Sequence, residues 1–546
     1  MFNPNPLYLT DGYKVGHKRM LAPGTTRLYG TWIPRSTKHA PKGITKIISF
    51  GQQMAWKYIH DVFEGSFFFT SERDAFDRAC VNGDSSFTGY TKNELKARAL
   101  RFAKDMSLYL GMEYDGKHFE ELWDLGYLPL KVKALPEGIE TDPNIPHMTF
   151  INTVDGFAWL TLFLETMVSN LAWKASTAAT IAKLYRRQAE EWVAKTDPTN
   201  MWLTDFMCHD FSARGLSGPY DMAAVALGHA TSHKGSDSLM AILASRYFYN
   251  EAEDSMPVFS VNASEHSVST TKIFTVGEQQ MIADWIELFP NGILSIVSDT
   301  FDLWKLITEY LPALKEQILA RNGKLVIRPD SGDPVDIICG KLPSGNARKG
   351  ITEKELIEYK GVIELLWDIF GGTTNHEGYK VLDSHIGAIY GDSITPDRQR
   401  EIYKRLAAKG FAATNIILGI GSYTYEYLTR DTLGFAAKGS WFEVVDNCAP
   451  GMCKINNMTC GKDGCQSKKA YNIYKDPVTD DGTKKSLKGL LCVIKDTEDL
   501  HDGEYYVEQE CTPERENEGI LQVIYEDGKF YNQTTLTEVR ERLKQQ

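Results

Sequence analysis

Two stretches, Ile293-Leu-Ser-Ile-Val-Ser-Asp299 and Leu325-Val-Ile-Arg-Pro-Asp330, decide the fold. Each is a short apolar run, too short for a helix, that stops at a carboxylate. The same form recurs on both sides. Asp237 follows Lys234-Gly-Ser, and His266 follows Val258-Phe-Ser-Val-Asn-Ala-Ser-Glu. Asp392 closes Ile386-Gly-Ala-Ile-Tyr-Gly, and Gly421 closes Ile416-Ile-Leu-Gly-Ile. The intervals between these six ends are 29, 33, 31, 62 and 29 residues. About 30 residues is the length of one βα unit, and the double interval hides a further unit or an insertion. An open doubly wound sheet shares the rhythm but concentrates its chemistry at one switch point. Here nearly every run ends in a polar residue, which expects an incomplete TIM-like α/β barrel with its site at the strand C-termini.

Outside the barrel the pattern changes. Residues 1–150 mix strand-like runs (26–33, 46–50 and 128–134) with helical stretches near 51–63 and 92–111. Residues 426–546 return to short strands, turns and a C-terminal helix. The expected organisation is a mixed α/β domain from both chain termini (1–150 and 426–546) around a barrel over 151–425. A helix over 178–195 carries Ile181, Leu184, Tyr185 and Trp192 on one side.

The chain of 546 residues is 42% hydrophobic and 24% charged, which suits a globular protein and excludes a disordered or fibrous one. A net charge of −12 argues against nucleic acid as a partner. No 18-residue apolar stretch and no secretory leader are seen, so no membrane is expected. Nine scattered cysteines read as a reducing, cytoplasmic setting. His-x-His, His-Glu-x-x-His, Gly-x-Ser-x-Gly and the P-loop string are all missing. That removes the metal-hydrolase, α/β-hydrolase and P-loop classes.

What remains is a site for phosphate and sugar. Asp299, Asp330 and Asp392 at one mouth would repel each other unless a cation or a polyhydroxylated ligand lay between them. Ribose and Mg²⁺ fit, since Mg²⁺ takes a few carboxylates together with substrate phosphates. Arg328-Pro-Asp-Ser-Gly-Asp-Pro334 offers a guanidinium fork beside a turn that can aim backbone N–H groups at an anion. Gly391-Asp392-Ser393 and Gly419-Ile-Gly421-Ser422 let backbone amides approach a phosphate. His266 stands among polar neighbours at a run end.

These strings resemble the nicotinamide phosphoribosyltransferase family of type II phosphoribosyltransferases. The likeness runs from about residue 8 to the end. It rests on Thr10-Asp-Gly-Tyr-Lys-Val15, His209-Asp-Phe-Ser-Ala-Arg-Gly215, Lys234-Gly-Ser-Asp237, Ala263-Ser-Glu-His-Ser267, Val297-Ser-Asp299, Ile327-Arg-Pro-Asp-Ser-Gly332, Gly391-Asp392, Leu428-Thr-Arg-Asp431 and Tyr474-Lys-Asp-Pro-Val478. The resemblance implies a homodimer with shared active sites. Nicotinamide would lie between Phe211 and Tyr13 of the partner subunit, with Asp237 accepting its carboxamide NH₂. Asp299 and Asp330 would hold the ribose and the Mg²⁺–diphosphate of phosphoribosyl diphosphate. Arg214 and Arg328 would line the pocket, and Gly391, Asp392, Gly421 and Ser422 would receive the 5′-phosphate. Arg35, Arg430, Lys438, Lys475 and Lys484 would supply positive charge to the diphosphate. ATP would act as co-substrate through phosphorylation of His266.

The chain departs from the family's pattern in two places. The usual glycine-rich run reads Gly419-Ile-Gly-Ser-Tyr423, with two bulky residues. Residues 448–465 look inserted and carry Cys448, Cys453, Cys460 and Cys465 in a C-x₄-C-x₆-C-x₄-C pattern, an expected structural Zn²⁺ site with free thiols as the alternative. A nicotinate-specific enzyme and a non-catalytic binding protein on the same scaffold are the competing functions. Asp237 speaks against the first, because it would repel a substrate carboxylate.

Overall fold

The computed structural model describes residues 4–84, 86–342, 352–391, 393–447, 454–455, 458–459, 466–479, 485–498 and 504–546. Its centre is a seven-stranded parallel sheet: β1 (Cys208–Asp210), β2 (Gly235–Ser236), β3 (Asn262–Ala263), β4 (Asn291–Val297), β5 (Asn322–Arg328), β6 (Ile386–Tyr390) and β7 (Ile416–Ile420). The order is β2-β1-β7-β6-β5-β4-β3. Phe259, just ahead of β3, bridges Gly235 of β2, so the two ends of the sheet meet. The result is a barrel with seven strands where a TIM barrel has eight. β4 to β7 are buried toward their C-terminal ends, which is why they read as apolar runs, whereas both residues of β3 are exposed. Ile296, Leu325, Ile327, Ile386, Ile416, Leu418 and Ile420 are all fully buried.

Each of the six run ends falls within three residues of a strand's C-terminus. The double interval resolves as an insertion. Helices Pro334–Cys339 and Glu353–Phe370 and an antiparallel pair, Gly372–Thr374 with Lys380–Leu382, fill it, and no extra barrel strand appears among the described residues.

A second, largely antiparallel seven-stranded sheet takes strands from both ends of the chain, in the order 466–472, 436–447, 25–33, 148–152, 130–134, 522–526 and 529–530. Helix α1 (Glu165–Thr196) joins it to the barrel. On the barrel side α1 packs on α2 (Pro219–Ala230) through small residues. A Cβ on Gly228 would lie 2.7 Å from that of Ala178 and 2.9 Å from the Ala175 carbonyl, so only glycine permits this approach. On its other side, the Ser176 hydroxyl of α1 donates to the Ile48 carbonyl in a separate two-stranded pair, Ile47–Ser49 with Ile139–Thr141. No helix among the described residues is long and apolar enough to cross a membrane.

Candidate active site

A cavity of about 350 Å³ opens at the C-terminal ends of the barrel strands. It is lined by Phe211, Arg214, Asp237, Arg328, Asp330, Gly391, Gly421 and Ser422. All eight were expected from the sequence. Each follows a strand: Phe211 and Arg214 follow β1, Asp237 follows β2, Asp330 follows β5, Gly391 follows β6, and Gly421 and Ser422 follow β7, while Arg328 closes β5. The loops after β1 and β7 approach closely at this mouth: a Cβ on Gly215 would sit 2.1 Å from the Ser422 hydroxyl. The two bulky residues of the glycine-rich run stay out of the cavity. Ile420 is buried in the core, and Tyr423 is exposed with its ring 4.9 Å from Tyr427.

Asp237 is held in place. His209 Nε2 lies 2.9 Å from its Oδ1, and the Ser260 hydroxyl donates to the same oxygen. Both bonds fall on Oδ1, which leaves Oδ2 as the acceptor for a ligand. Burial pushes the Asp237 carboxyl up, but the hydrogen bond and charge of His209, the Ser260 hydroxyl and the Arg328 guanidinium more than offset it. The net shift is downward, and the group is an anion at neutral pH.

Sequence reasoning assigned no role to three residues that build this corner. His209 and Ser260 fix Asp237. Asp210 is fully buried, and its carboxylate accepts from the Ser212 amide (2.9 Å) and from the hydroxyls of Ser212 (2.6 Å), Ser236 (3.2 Å) and Ser238 (2.6 Å). It ties the end of β1 to the end of β2 and so sets Phe211 against Asp237. His209 and Asp210 lay inside a quoted string. Nothing in the sequence distinguishes Ser260 from other serines.

Beside the cavity stand His266 and Asp299. His266 begins helix α3 (His266–Val276). Its Nδ1 is 3.1 Å from the Thr300 hydroxyl, and its Nε2 is 3.2 Å from Asp330 Oδ1 and 3.8 Å from Asp299 Oδ1. Asp299 Oδ2 accepts from the amides of Asp330 (3.0 Å) and Ser331 (2.8 Å) and from the Ser331 hydroxyl (2.5 Å). Its Oδ1 is buried without a hydrogen bond. A buried carboxylate oxygen left unsatisfied is costly, so this one suits a cation. One ligand atom from each of His266, Asp299 and Asp330 falls within 4.8 Å of the others, a set that could hold a metal ion.

The remaining expected residues gather elsewhere. Arg35, Arg430 and Lys475 lie close enough to Lys438 to oppose its charge. Burial pushes the Lys438 amine down, Glu165 pulls it up, and those three cations push it further down. Glu165 is shared, 2.6 Å from Lys14 Nζ and 3.9 Å from Lys438 Nζ. Tyr13, next to Lys14, is 67% exposed. None of these residues lines the cavity of its own chain. Asp392, Lys484 and the four cysteines 448, 453, 460 and 465 lie outside the described residues.

Residues 206–454 match the model of the nicotinate phosphoribosyltransferase (NAPRTase) family. The nicotinamide phosphoribosyltransferase of Acinetobacter baylyi is 39% identical across 100% of this chain and 98% of its own. The chain belongs to the nicotinamide phosphoribosyltransferase family. The enzyme of the same name from Mycoplasma pneumoniae is 33% identical over 66% of this chain and 71% of its own. Among solved structures, human nicotinic acid phosphoribosyltransferase aligns with 98% of this chain and 93% of its own, at 15% identity and a TM-score of 0.49. Membership of this phosphoribosyltransferase family agrees with a barrel mouth that carries two arginines, two carboxylates and three small residues.

Proposed function

We propose that the protein joins nicotinamide to the phosphoribosyl group of phosphoribosyl diphosphate, giving nicotinamide mononucleotide and diphosphate. The observation that carries this reading is the ionised, doubly anchored Asp237 in the same cavity as Phe211, Arg328 and Asp330. The pyridine nitrogen attacks ribose C1 as the C1–O bond to diphosphate breaks, and no protein nucleophile takes part. Phe211 offers a ring face to the pyridine, which becomes cationic in the product. Asp237 orients it by accepting the carboxamide NH₂, and the carboxylates favour positive charge on the sugar. Gly391, Gly421 and Ser422 present backbone and hydroxyl groups to the 5′-phosphate.

Asp299 and Asp330 would hold Mg²⁺, which when bound neutralises the departing diphosphate. His266 would take a phosphoryl group from ATP; it is half exposed and oriented by Thr300 and Asp330. The cations around Lys438, with Tyr13, are proposed to complete the site of a partner subunit in a homodimer. Lys14 and Lys438 share Glu165 there, and Arg35, Arg430 and Lys475 lie near enough to Lys438 to oppose its charge, a cluster of positive charge that a diphosphate would suit. A structural Zn²⁺ on the four cysteines is tested by elemental analysis of protein purified without added metal. The deciding experiment for the function is incubation with nicotinamide, phosphoribosyl diphosphate and Mg²⁺, with mass detection of the mononucleotide. Absence of that product, with the protein folded, would refute the reading.

A further inference from the structure

His229, next to the last residue of α2, is fully buried and joins two elements of the barrel mouth. Its Nε2 is 3.1 Å from the carbonyl of Gly235, the first residue of β2. Its Nδ1 is 2.9 Å from the hydroxyl of Tyr425, which is also fully buried. Tyr425 belongs to the short helix Ser422–Glu426 that follows β7. Among the described residues, His229 is the one side chain that hydrogen-bonds to both of these elements.

The chemistry of the partners sets the direction of both bonds. A carbonyl only accepts, so Nε2 carries the ring proton. Burial holds the imidazole below its usual range, against the pull of the Asp210 carboxylate, and the ring is neutral at neutral pH. Nδ1 is then a lone pair, and the Tyr425 hydroxyl donates to it. Both side chains are shut off from solvent, so water cannot replace either bond. Loss of one partner leaves the other as a buried, unsatisfied polar atom.

Each end of this link meets backbone that the site uses. Gly235 backs the corner around Asp237. A Cβ on it would lie 2.8 Å from His209 Nδ1, and the other ring nitrogen of His209 holds Asp237. At the other end, Tyr425 sits on the helix that Ser422 opens and Gly421 caps, and both of those residues line the cavity. The remaining tethers of that helix reach elsewhere. The Thr424 hydroxyl is 3.2 Å from that of Tyr185, and Glu426 is 2.8 Å from Lys174 Nζ. Tyr185 and Lys174 belong to α1, which contributes nothing to the cavity lining.

We propose that His229 is a positioning residue for both substrates. Through Gly235 it sets the corner that takes the carboxamide, and through Tyr425 it sets the loop that takes the 5′-phosphate. The inference rests on the function proposed above.

The test measures kcat and both KM values of the full-length protein for mononucleotide synthesis. Tyr425→Phe removes one hydroxyl and keeps the ring. It should raise KM for phosphoribosyl diphosphate about fivefold, as the loss of one neutral hydrogen bond implies, and leave KM for nicotinamide near wild type. His229→Leu cuts both bonds and should raise both KM values. Adding Tyr425→Phe to it should raise neither further, because the hydroxyl acts through the ring. His229→Gln places a donor and an acceptor at nearly the spacing of the two ring nitrogens and should restore both values. A merely structural role would lower the folded fraction, and so kcat, with both KM values unmoved. If His229→Leu misfolds, Tyr425→Phe and His229→Gln still carry the test. A folded Tyr425→Phe protein with wild-type KM for phosphoribosyl diphosphate, or His229→Gln as impaired as His229→Leu, would overturn the proposal while the wild-type synthesis still stood. A wild type that makes no mononucleotide would instead remove the function and this inference together.

Discussion

Asp237 shows how much one side chain can decide. Its Oδ1 is taken by His209 and Ser260, so Oδ2 meets the substrate as a pure acceptor. In Asp237→Asn the side-chain oxygen can still accept from His209 and Ser260, which turns an NH₂ toward the ligand. A charge-assisted bond to the carboxamide is lost, worth about 1.5–3 kcal/mol, and repulsion toward a carboxylate disappears. The ratio of kcat/KM for nicotinamide to that for nicotinate should fall by roughly ten- to a hundredfold or more. An unchanged ratio would mean that Asp237 does not read the carboxamide. His266 is the second test at this scale. His266→Ala should abolish stimulation by ATP and leave some basal synthesis, with no acid-labile phosphate on the protein. Full stimulation in that variant would remove His266 from the phosphoryl path.

At the level of elements, the site is made by neighbouring strands rather than by any one of them. β7 and β1 are parallel partners, with Gly419 opposite His209. A Cβ on Gly419 would lie 2.6 Å from the Phe211 ring and 2.8 Å from the Tyr390 carbonyl. The ring can turn, but the carbonyl belongs to the adjoining strand β6 and cannot. Gly419→Ala should therefore cost about 1–3 kcal/mol of stability, as overpacking does. It should also raise KM for nicotinamide more than KM for phosphoribosyl diphosphate. Denaturant unfolding together with the two KM values checks both halves, and wild-type values throughout would show that the strands yield.

For the whole molecule, the expected site residues fall into two groups on one chain. One lines the barrel mouth, and the other surrounds Glu165 and Tyr13 on the terminal domain. A Tyr13→Ala chain and a Phe211→Ala chain, each nearly inactive alone, should regain one competent site per heterodimer when their subunits are exchanged. Heterodimers shown to form without recovered activity would mean that the sites are not shared.

The linear sequence by itself determined the barrel and its mouth. Strands buried on both faces must be apolar throughout, and chemistry at their C-termini leaves a polar residue at a fixed place in each βα repeat. Both signals are local, so Asp237, His266, Asp299, Asp330 and Gly421 could be read from spacing. Two features of the barrel were not legible. β1, Cys-His-Asp, is polar at two of its three positions and gave no countable run, and the 62-residue interval could not distinguish a hidden strand from an inserted hairpin. Only the tertiary structure decided what surrounds each site residue. The bonds of His209 and Ser260 to Asp237 and the burial of Asp210 among four donors join segments 2 to 28 residues apart. The C-terminal helix, Leu536–Lys544, is docked by Arg540, which donates to the carbonyls of Ala230, His233 and Pro257, about 300 residues earlier. Such contacts depend on where the barrel closes and how the terminal helix docks, and a local pattern of residue types carries no record of either.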